Sequence, residues 1–385
     1  MQKKPCGIWP DVTVRELYGG NKFLVVEHTS KAYRPYASEL FFSSGALSEI
    51  SQIFSNKWIF TGLRLRFDDG PYNIKSLLNL FRANRNKINL RYIEIHITDI
   101  APGIKKDLLD FIREFPTIEQ LDLSRCGLMD DDMTIVAEMI KASAIRCLNL
   151  GWNHINEEGF SQLATALSRE HWARLESLNL TRNSIGDLGG LKLATCIPLT
   201  NLKTLLLSEC LMDELSIVEI LEACKGSKIE VLDMQSNDVG STNSILALKC
   251  FLANSRTIRE LCLKYCGITN DGVANITPAV RKCHTLTRLH LQGNHDMTTS
   301  AVLQMVNSIG HHPNLVEVGV CGCEEPYVTG TLNIERKNAR LEIWVTQRSM
   351  LAIVSARVIK RIGCKSPLSV LPTELFRMLQ IMLGK

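Results

Sequence analysis

The chain has 385 residues, of which 45% are hydrophobic, 22% are charged and 6% are aromatic, and its formal net charge is +4. This apolar content supplies a large buried core and excludes disorder as the main state of the chain. The small net charge gives no case for a nucleic-acid-binding protein, because such proteins usually carry a strong basic excess.

Thirteen Cys residues are scattered along the chain. Secreted disulfide scaffolds are short and Cys-dense, so this distribution predicts a reducing compartment, and we expect a cytoplasmic protein. The first ten residues contain no apolar run behind a basic start, which predicts no signal peptide. No run of about 18 apolar residues occurs, so we expect no integral membrane association.

A motif with apolar residues at places 1, 4 and 6, and Asn or Cys at place 9, recurs through the middle of the chain. The clearest copy consists of Ile118, Leu121, Leu123 and Cys126. The copies begin 27 to 30 residues apart, at Phe60, Leu90, Ile118, Ile145, Leu175, Leu202, Ile229, Ile258, Leu286 and Leu315. Eight of these ten have Asn or Cys at place 9, so chance does not explain the period.

Each copy predicts one short strand followed by one helix. At its start, apolar and polar residues alternate, as in a strand with one buried face. Place 15 holds Gly or a residue typical of helix starts, such as Asp132, Ser216 and Asn243, and we expect the helix to begin there. Apolar residues at places 19 and 22, for example Val136 and Met139, then follow the period of one helix face.

The L-x-x-L-x-L-x-x-N/C pattern resembles the signature of leucine-rich repeats. The copy length near 28 residues, and the mixture of Asn with Cys at place 9, resemble the ribonuclease-inhibitor-like subclass. The resemblance implies an α/β horseshoe solenoid, with parallel strands inside, helices outside and non-repeat caps at both ends.

Three segments are expected along the chain. Residues 1–59 are predicted to form an N-terminal cap, residues 60–326 the solenoid of about ten repeats, and residues 327–385 a basic helical C-terminal cap or docking segment. Caps are expected because an end repeat would otherwise expose an apolar face. The C-terminal segment is basic because the stretch from Arg336 to Lys365 holds eight Lys or Arg residues and one acid.

Exposed side chains at places 3, 5 and 7, with place 8 at the rim, are expected to line the concave face and to bind a partner protein. Trp, Tyr and Arg most often anchor such interfaces, which favours Trp152 and Tyr265. The predicted partner-binding residues are Tyr92, Asp122, Arg125, Asn149, Trp152, Arg182, Asp233, Lys264, Tyr265, Arg288 and His290. Two alternatives stay open: these are solvated residues with the partner bound elsewhere, or Trp152 stacks flat on the neighbouring strand end.

Motifs of the common enzyme classes are missing from the sequence. No phosphate-binding loop, H-E-x-x-H or G-x-S-x-G motif occurs. Cys321 and Cys323 lack a second pair at the spacing of a zinc site. We therefore predict a monomeric, non-enzymatic scaffold without cofactor or metal, which binds a protein and no nucleic acid.

The C-terminal segment indicates a second function. Leu351, Ser355 and Ile359 recur every four residues and precede Leu371 and Pro372, a pattern that resembles the elongin-binding box of cullin adaptors. Ser355 stands where that box usually has Cys, and the second Leu-Pro of the box is missing. The resemblance implies a substrate-recruiting adaptor of a cullin-type ubiquitin ligase. The alternatives are a helical cap and the opening of an F-box.

Two further functions stay open. The subclass resemblance implies an enzyme inhibitor or regulator. Because such repeats also occur in bacterial effectors, an effector acting in the cytosol of a host cell is the other alternative. No motif in the chain decides between these functions and a scaffold.

Overall fold

The structure is a computed structural model, which describes residues 11–17, 21–28, 40–41, 51–52, 54–55, 60–67, 72–97, 102–310, 312–320, 329–335 and 340–346. The chain divides into two compact units, unit 1 (Met1–Leu211) and unit 2 (Met212–Lys385). The expected segment boundaries after residues 59 and 326 are a different division and stay predictions.

Unit 1 is built on a sheet to which each copy of the repeat contributes one parallel strand. Its strands are β1 (Asp11–Leu17), β2 (Asn21–His28), β3 (Leu40–Phe41), β4 (Phe60–Phe67), β5 (Tyr72–Asn73), β6 (Ile88–Ile97), β7 (Gln120–Asp122), β8 (Cys147–Asn149), β9 (Ser177–Asn179) and β10 (Thr204–Leu206). The order is β1-β2-β4-β6-β7-β8-β9-β10, with β1 antiparallel to β2 and all other neighbours parallel, while β3 and β5 pair separately. Leu121 lies opposite Leu148, and Leu148 lies opposite Leu178, which confirms the predicted alignment of the copies.

The helices of unit 1 follow the strands in turn. They are α1 (Lys75–Ala83), α2 (Pro102–Arg113), α3 (Met133–Ala142), α4 (Glu157–Ala166), α5 (Arg169–Arg174) and α6 (Gly186–Cys196). One face of each copy's helix is buried, as Phe160 and Leu163 show in α4. Burying such a side chain contributes about 1.5–3 kcal/mol relative to leaving it exposed. The short α5 lengthens the copy that begins at Ile145, and it buries Trp172.

Unit 2 repeats this architecture and, in its described residues, adds an antiparallel pair of strands. Its elements are β11 (Val231–Asp233), β12 (Glu260–Cys262), β13 (Arg288–His290), β14 (Glu317–Gly319), β15 (Thr329–Glu335), β16 (Arg340–Thr346), α7 (Glu214–Cys224), α8 (Thr242–Asn254), α9 (Asn270–Lys282) and α10 (Thr299–Ile309). The order is β11-β12-β13-β14-β16-β15, and only β15 runs antiparallel to its neighbour. We expected helices after residue 326, but residues 329–335 and 340–346 are strands, because alternating residues such as Leu341, Ile343 and Val345 suit a sheet.

Asp132, at place 15, is the N-cap of α3 as predicted. By contrast, α4, α7, α8, α9 and α10 begin at place 13 or 14, two or one places earlier than predicted. Their N-cap residues stand at place 12 or 13, where a side-chain oxygen accepts a hydrogen bond from the first turn, as Asn156 does from the N–H of Glu158. The other capping residues of this kind are Asp213, Ser241, Thr269 and Thr298. Place 15 therefore lies inside the first turn, and the expected helix start at Ser216 and Asn243 was wrong.

Asn at place 9 joins two consecutive turns of the chain. Oδ1 of Asn153 accepts hydrogen bonds from the backbone N–H groups of Cys126 and Leu128, both at 3.0 Å. Its Nδ2 donates to two carbonyl oxygens at place 6, one in the preceding copy and one in its own. Asn294 makes the corresponding four bonds in unit 2. One buried amide thus satisfies four backbone groups that would otherwise be costly to bury.

Cys at place 9 reproduces only the hydrogen bonds that the Asn side chain donates, not those that it accepts. Sγ of Cys126 donates to the carbonyl of Ile95 at 3.0 Å, and Sγ of Cys210 donates to the carbonyl of Leu180 at 3.3 Å. Burial raises the pKa of the Cys126 thiol to about 12, which keeps it protonated as a donor. A thiol is a weak acceptor, so Sγ of Cys210 does not replace the amide oxygen that would hold the loop of the preceding copy. Gly186, in that preceding copy, instead donates its backbone N–H to the backbone carbonyl of Cys210.

Three described copies have Cys at place 9, namely Cys126, Cys210 and Cys266, and the residue that follows each of them adopts a left-handed conformation. Gly127 has φ 58° and Gly267 has φ 66°, as expected where glycine is favoured. Leu211 occupies the same place after Cys210, with φ 57°, although it has a side chain, and that side chain is 70% exposed. A left-handed Leu costs about 1–2 kcal/mol relative to an ordinary conformation, so this loop is strained.

Candidate functional site

Place 8, directly after the strand of each copy, has a left-handed backbone throughout the described repeats from Ile118 to Leu286. The φ angles lie between 54° and 59° at Arg125, Trp152, Arg182, Glu209, Ser236 and Tyr265, and Gly293 has φ 75°. Such angles are rare for residues with a side chain. They are held because the N–H at place 8 donates to the carbonyl at place 7 of the next copy, as from Trp152 to Thr181 at 2.6 Å.

In unit 1 this shared conformation stacks the place-8 side chains. Cζ of Arg125 lies 4.2 Å from the centroid of a Trp152 ring, and Cζ of Arg182 lies 3.8 Å from it. Arg182 Nε also donates to Oε2 of Glu209 at 2.8 Å. We call Arg125, Trp152, Arg182 and Glu209 the rim stack. Trp152 stays 41% exposed, with both guanidinium groups against its rings.

The two arginines of the rim stack differ in their partners. Arg182 is neutralised by Glu209, whereas Arg125 has no ion pair among the residues whose contacts the structure describes. A guanidinium that stacks on an aromatic face keeps the N–H groups at its edge available for hydrogen bonds. The rim stack therefore contains one guanidinium group, that of Arg125, whose edge N–H groups are available for hydrogen bonds.

Place 8 of unit 2 carries an aromatic residue without flanking cations. Tyr265 is 56% exposed, and its ring lies over Gly293, where an added Cβ would come within 2.2 Å of Cε1. Because Gly293 has no side chain, it leaves room for the Tyr265 ring. In the copy before Tyr265, place 8 is Ser236. The two predicted rim aromatics lie in different surroundings.

On the open face of the unit 1 sheet, polar side chains bond to one another. The Tyr92 hydroxyl donates to Oε2 of Glu94 at 2.6 Å, and Arg64 lies 2.6 Å from the same oxygen. Burial first, and then the hydrogen bond and charge of Glu94, raise the pKa of Tyr92 to about 12. Tyr92 is therefore a neutral donor that is already engaged within the chain.

Asp122 is the centre of a second network on this face. Its oxygens accept hydrogen bonds from the Ser124 hydroxyl at 2.7 Å and from Asn149 Nδ2 at 2.8 Å, and His96 Nε2 lies 3.4 Å away. Burial alone would raise the pKa of this carboxyl. The hydrogen bonds from His96, Ser124 and Asn149 outweigh burial, so that the pKa of Asp122 is lowered.

Ser124, His96 and Asp122 carry the residue types of a hydrolase triad but not its connections. The Ser124 oxygen lies 2.9 Å from His96 Nε2. Because the serine proton goes to Asp122, His96 must donate to the serine oxygen rather than accept its proton. The cluster thus lacks the serine-to-histidine hydrogen bond of such a triad.

In four copies, the side chain at place 5 bonds to the backbone directly after the strand. Oδ1 of the residue at place 5 accepts the N–H of place 7 in the same copy, at 2.9–3.0 Å, in Asp122, Asn149, Asn179 and Asp233. This local bond is the kind that stops an extended run. Three predicted partner-binding residues, Asp122, Asn149 and Asp233, thus make an intramolecular hydrogen bond that the sequence did not predict.

The open face of the unit 2 sheet is dominated by charge pairs. Arg288 pairs with Glu260, and the ring nitrogens of His290 lie 3.6 Å from Glu260 and 3.9 Å from Glu317. Burial first, and then the positive charge of Lys264, lower the pKa of His290 despite the two carboxylates. Four of the predicted residues, Asp233, Lys264, Arg288 and His290, therefore lie on this face or at its rim.

A ladder of alternating charges at place 2 was missed at the sequence level. In unit 1, Arg91 pairs with Glu119, and Glu176 pairs with both Arg146 and Lys203. In unit 2, Arg259 pairs with Glu230 at 2.9 Å. The signal was available, because aligning the copies places Arg, Glu, Arg, Glu and Lys in succession. Each exposed pair contributes about 0–1 kcal/mol, so the ladder neutralises this edge more than it stabilises it.

The described residues offer neither a metal site nor a membrane span. No group of three or more His, Cys, Asp or Glu side chains there is placed to hold a metal ion. None of the described helices combines the length and apolarity needed to cross a membrane. The predicted docking residues lie outside the described part of the chain; they are Leu351, Ser355, Ile359, Leu371 and Pro372.

Comparison with known proteins agrees with this architecture. The Leucine Rich repeat family matches residues 143–164, 175–194, 254–276 and 282–302. Ribonuclease inhibitor from Sus scrofa is 23% identical over 271 residues, which cover 69% of this chain and 57% of the inhibitor. The chain is a leucine-rich repeat protein of the ribonuclease-inhibitor-like type. Its α/β repeat fold, predicted from the sequence, is confirmed by these matches and by the strands described above.

Other similar proteins span different parts of this leucine-rich repeat protein. NACHT, LRR and PYD domains-containing protein 4C from Mus musculus is 25% identical over 239 residues, which cover 61% of this chain and 21% of that protein. The chain thus spans 57% of the porcine inhibitor and about a fifth of the murine protein. A chain of the crystal structure of the Rad7 and Elc1 complex in yeast covers 70% of this chain and 87% of its own length, at 14% identity and a TM-score of 0.33. At this TM-score the likeness bears on neither fold nor function.

Proposed function

We propose that this leucine-rich repeat protein is a non-enzymatic scaffold that binds a partner protein through the open face of its sheet and the adjoining rim. The observation that carries the proposal is the exposure of Trp152 and Tyr265 at place 8, with Arg125 and Arg182 against Trp152. Trp, Tyr and Arg supply most of the strong contacts in protein interfaces. A solvated surface has no need of such side chains.

Exposed apolar side chains concentrate on the same edge of the repeats. Six of the eight large exposed apolar residues described lie between place 8 and the first turn of the helix, namely Met129, Trp152, Leu188, Leu211, Leu215 and Tyr265. The other two are Leu246 and Val316. Exposed apolar side chains that recur in one zone of the repeat, within each unit, favour an interaction surface there. This zone supports binding at the rim, with the polar face beside it setting specificity.

We propose a cytoplasmic location for the protein. The nine Cys residues described are all free, although several are packed in the core, and three of them donate as thiols at place 9. Free thiols in this number suit a reducing compartment. The monomeric state expected from the sequence stays a prediction.

The test is affinity capture with the full chain. Wild type is compared with a Trp152→Asn, Tyr265→Asn double variant and with Leu246→Ala, whose 47% exposed side chain lies on a helix away from the rim. Asn tolerates the left-handed backbone at place 8, so the double variant should keep its fold. We expect recovery of the partner to fall more than about tenfold in the double variant and to stay unchanged in Leu246→Ala. Equal capture by all three proteins, or no reproducible partner, would contradict the proposal.

A cullin-adaptor function is the second candidate, and the elongin-box pattern at Leu351, Ser355 and Ile359 is the observation that favours it. If it holds, elongin co-purifies with wild type and not with Leu351→Asp, while the melting temperature of the variant is unchanged. Absence of elongin from the wild-type complex would remove this candidate.

An enzyme-inhibitor function is a third candidate, supported by relatives from Sus scrofa and Mus musculus that are named ribonuclease inhibitor. It predicts that the captured partner is an enzyme whose activity falls when the full chain is added. A captured partner without catalytic activity would remove it.

A further inference from the structure

The rim stack holds two guanidinium groups against one indole. Arg125 and Arg182 come from the copies on either side of the Trp152 copy, at 4.2 Å and 3.8 Å from a ring of Trp152. Since each neighbouring copy supplies one cation to the ring, the aromatic surface is already used by cations of the chain itself. A cationic side chain of a partner would therefore meet like charge instead of an open ring.

The charge of the rim stack is not balanced within the described structure. Glu209 neutralises Arg182, while Arg125 has no described ion pair. A planar guanidinium with free edge donors matches a carboxylate, which accepts two parallel N–H bonds. The stack thus leaves one exposed cation, Arg125, without a described ion pair and accessible to an anion.

Apolar surface lies next to the charge of Arg125. Trp152 is 41% exposed, and the uncovered part of its ring is close to Arg125 through their stacking contact. An interface hot spot typically combines such an apolar anchor with a charged group. The occupant must therefore present a carboxylate beside an apolar side chain.

The stack is also rigid before any partner arrives. The backbone N–H groups of Arg125, Trp152 and Arg182 donate to carbonyl oxygens of the next copy at 3.1, 2.6 and 2.8 Å. These bonds fix the left-handed backbone from which all three side chains project. Little backbone freedom is left to lose there on binding, which favours affinity.

We infer that the rim stack binds an acidic segment of the partner protein, with an Asp or Glu carboxylate on Arg125 and a neighbouring apolar side chain against the exposed part of Trp152. This inference rests on the proposed function and adds the chemistry of the partner. It also places the strongest contact at the rim, next to the open face of the sheet.

The test uses the immobilised full chain and random dodecapeptides displayed on phage. Peptides enriched on wild type are measured by fluorescence anisotropy against wild type, Arg125→Asn, Trp152→Asn and the control Ser236→Asn. Ser236 stands at place 8 of a copy in unit 2, with φ 56°, and is not a member of the rim stack, so its variant repeats the same substitution on the same backbone conformation. Melting temperatures of all variants show whether the fold is kept.

We expect the enriched peptides to carry Asp or Glu next to an apolar residue. Their affinity should fall about tenfold in Arg125→Asn and in Trp152→Asn, fall as the salt concentration is raised, and stay unchanged in Ser236→Asn. Enrichment without acidic residues, equal binding to Arg125→Asn, or tighter binding of a mixed-sequence single-stranded DNA than of any peptide would overturn the inference.

Failure of the inference and failure of the proposed function give different results. If full-length wild type captures a partner that Arg125→Asn and Trp152→Asn capture equally well, the scaffold function stands and the acidic-segment inference is overturned. If no peptide is enriched and no partner is captured by wild type, both are overturned.

Discussion

Cζ of Arg182 lies 3.8 Å from the centroid of a Trp152 ring, although the two residues are 30 positions apart in the chain. They meet because both occupy place 8 of consecutive copies and both have a left-handed backbone, with φ 56° and 59°. A repeat thus converts a distance in sequence into a contact between neighbouring strands. The same geometry brings Arg125 to Trp152.

This contact should be measurable as a coupling energy. In a double-mutant cycle of Trp152→Asn and Arg182→Asn, we expect the pair to contribute about 0.5–1 kcal/mol to the free energy of unfolding, as for a partly exposed cation–π contact. Urea unfolding of wild type, both single variants and the double variant gives the value. A cycle of Ser236→Asn with Arg182→Asn is the control and should be additive. Additivity in the first cycle would show that the stack has no energetic content.

Place 9 should tolerate substitution very unevenly. Asn153→Ala removes an amide that serves four buried backbone groups, so we expect a loss of about 3–5 kcal/mol in the free energy of unfolding. Cys126→Ala removes one weak thiol donor and little volume, so we expect a loss of about 1 kcal/mol. Chemical denaturation of both variants compares them directly. Equal losses would contradict the role assigned to the amide.

Much of the fold followed from the spacing of apolar residues alone. Leu121, Leu148 and Leu178 were expected to lie in line, and the register of the strands confirms it. Such a pattern follows from the burial of alternate residues, and the apolar residue types show which residues are buried. The strands at 329–335 and 340–346 were missed, because the sequence there was interpreted as part of a helical segment.

The conformation of the rim could not be predicted in the same way. Arg125, Trp152 and Arg182 are not residues that favour positive φ, so their types gave no warning of the left-handed turn. Hydrogen bonds to the next copy impose it, and these appear only when the copies are stacked. The partner-binding role of the residues at places 3 to 8 stays a prediction.

Leu211 should be a stability defect with a simple repair. Replacing it by Gly relieves the left-handed strain, and we expect the free energy of unfolding to rise by about 1 kcal/mol. The matched reverse change, Gly127→Leu, should lower it by about 1–2 kcal/mol, because nothing lies within 4 Å of the added Cβ and only the backbone cost remains. Thermal and urea unfolding test both. A loss of stability in Leu211→Gly would show that its side chain makes a contact that matters to the fold.

Acid should weaken the fold through His290. Burial and the charge of Lys264 lower its pKa in the folded state, so protons bind more readily after unfolding. The contribution is therefore fully present above the ordinary value of about 6.5 and is lost as the pH falls from there through the lower folded pKa. In His290→Gln this loss is absent, so stability curves measured between about pH 5 and pH 8 should converge or cross on the acid side. Parallel curves would contradict it, and His295→Gln, at an exposed side chain, is the control.

The most direct test of partner binding at the rim is hydroxyl-radical footprinting of the full chain with and without its captured partner. The measurement is the oxidation rate of Trp152 relative to that of Tyr265, which is also exposed but lacks flanking cations. We predict that the partner lowers the oxidation rate of Trp152 several-fold and changes that of Tyr265 less. An unchanged rate at Trp152 in a saturated complex would contradict the account.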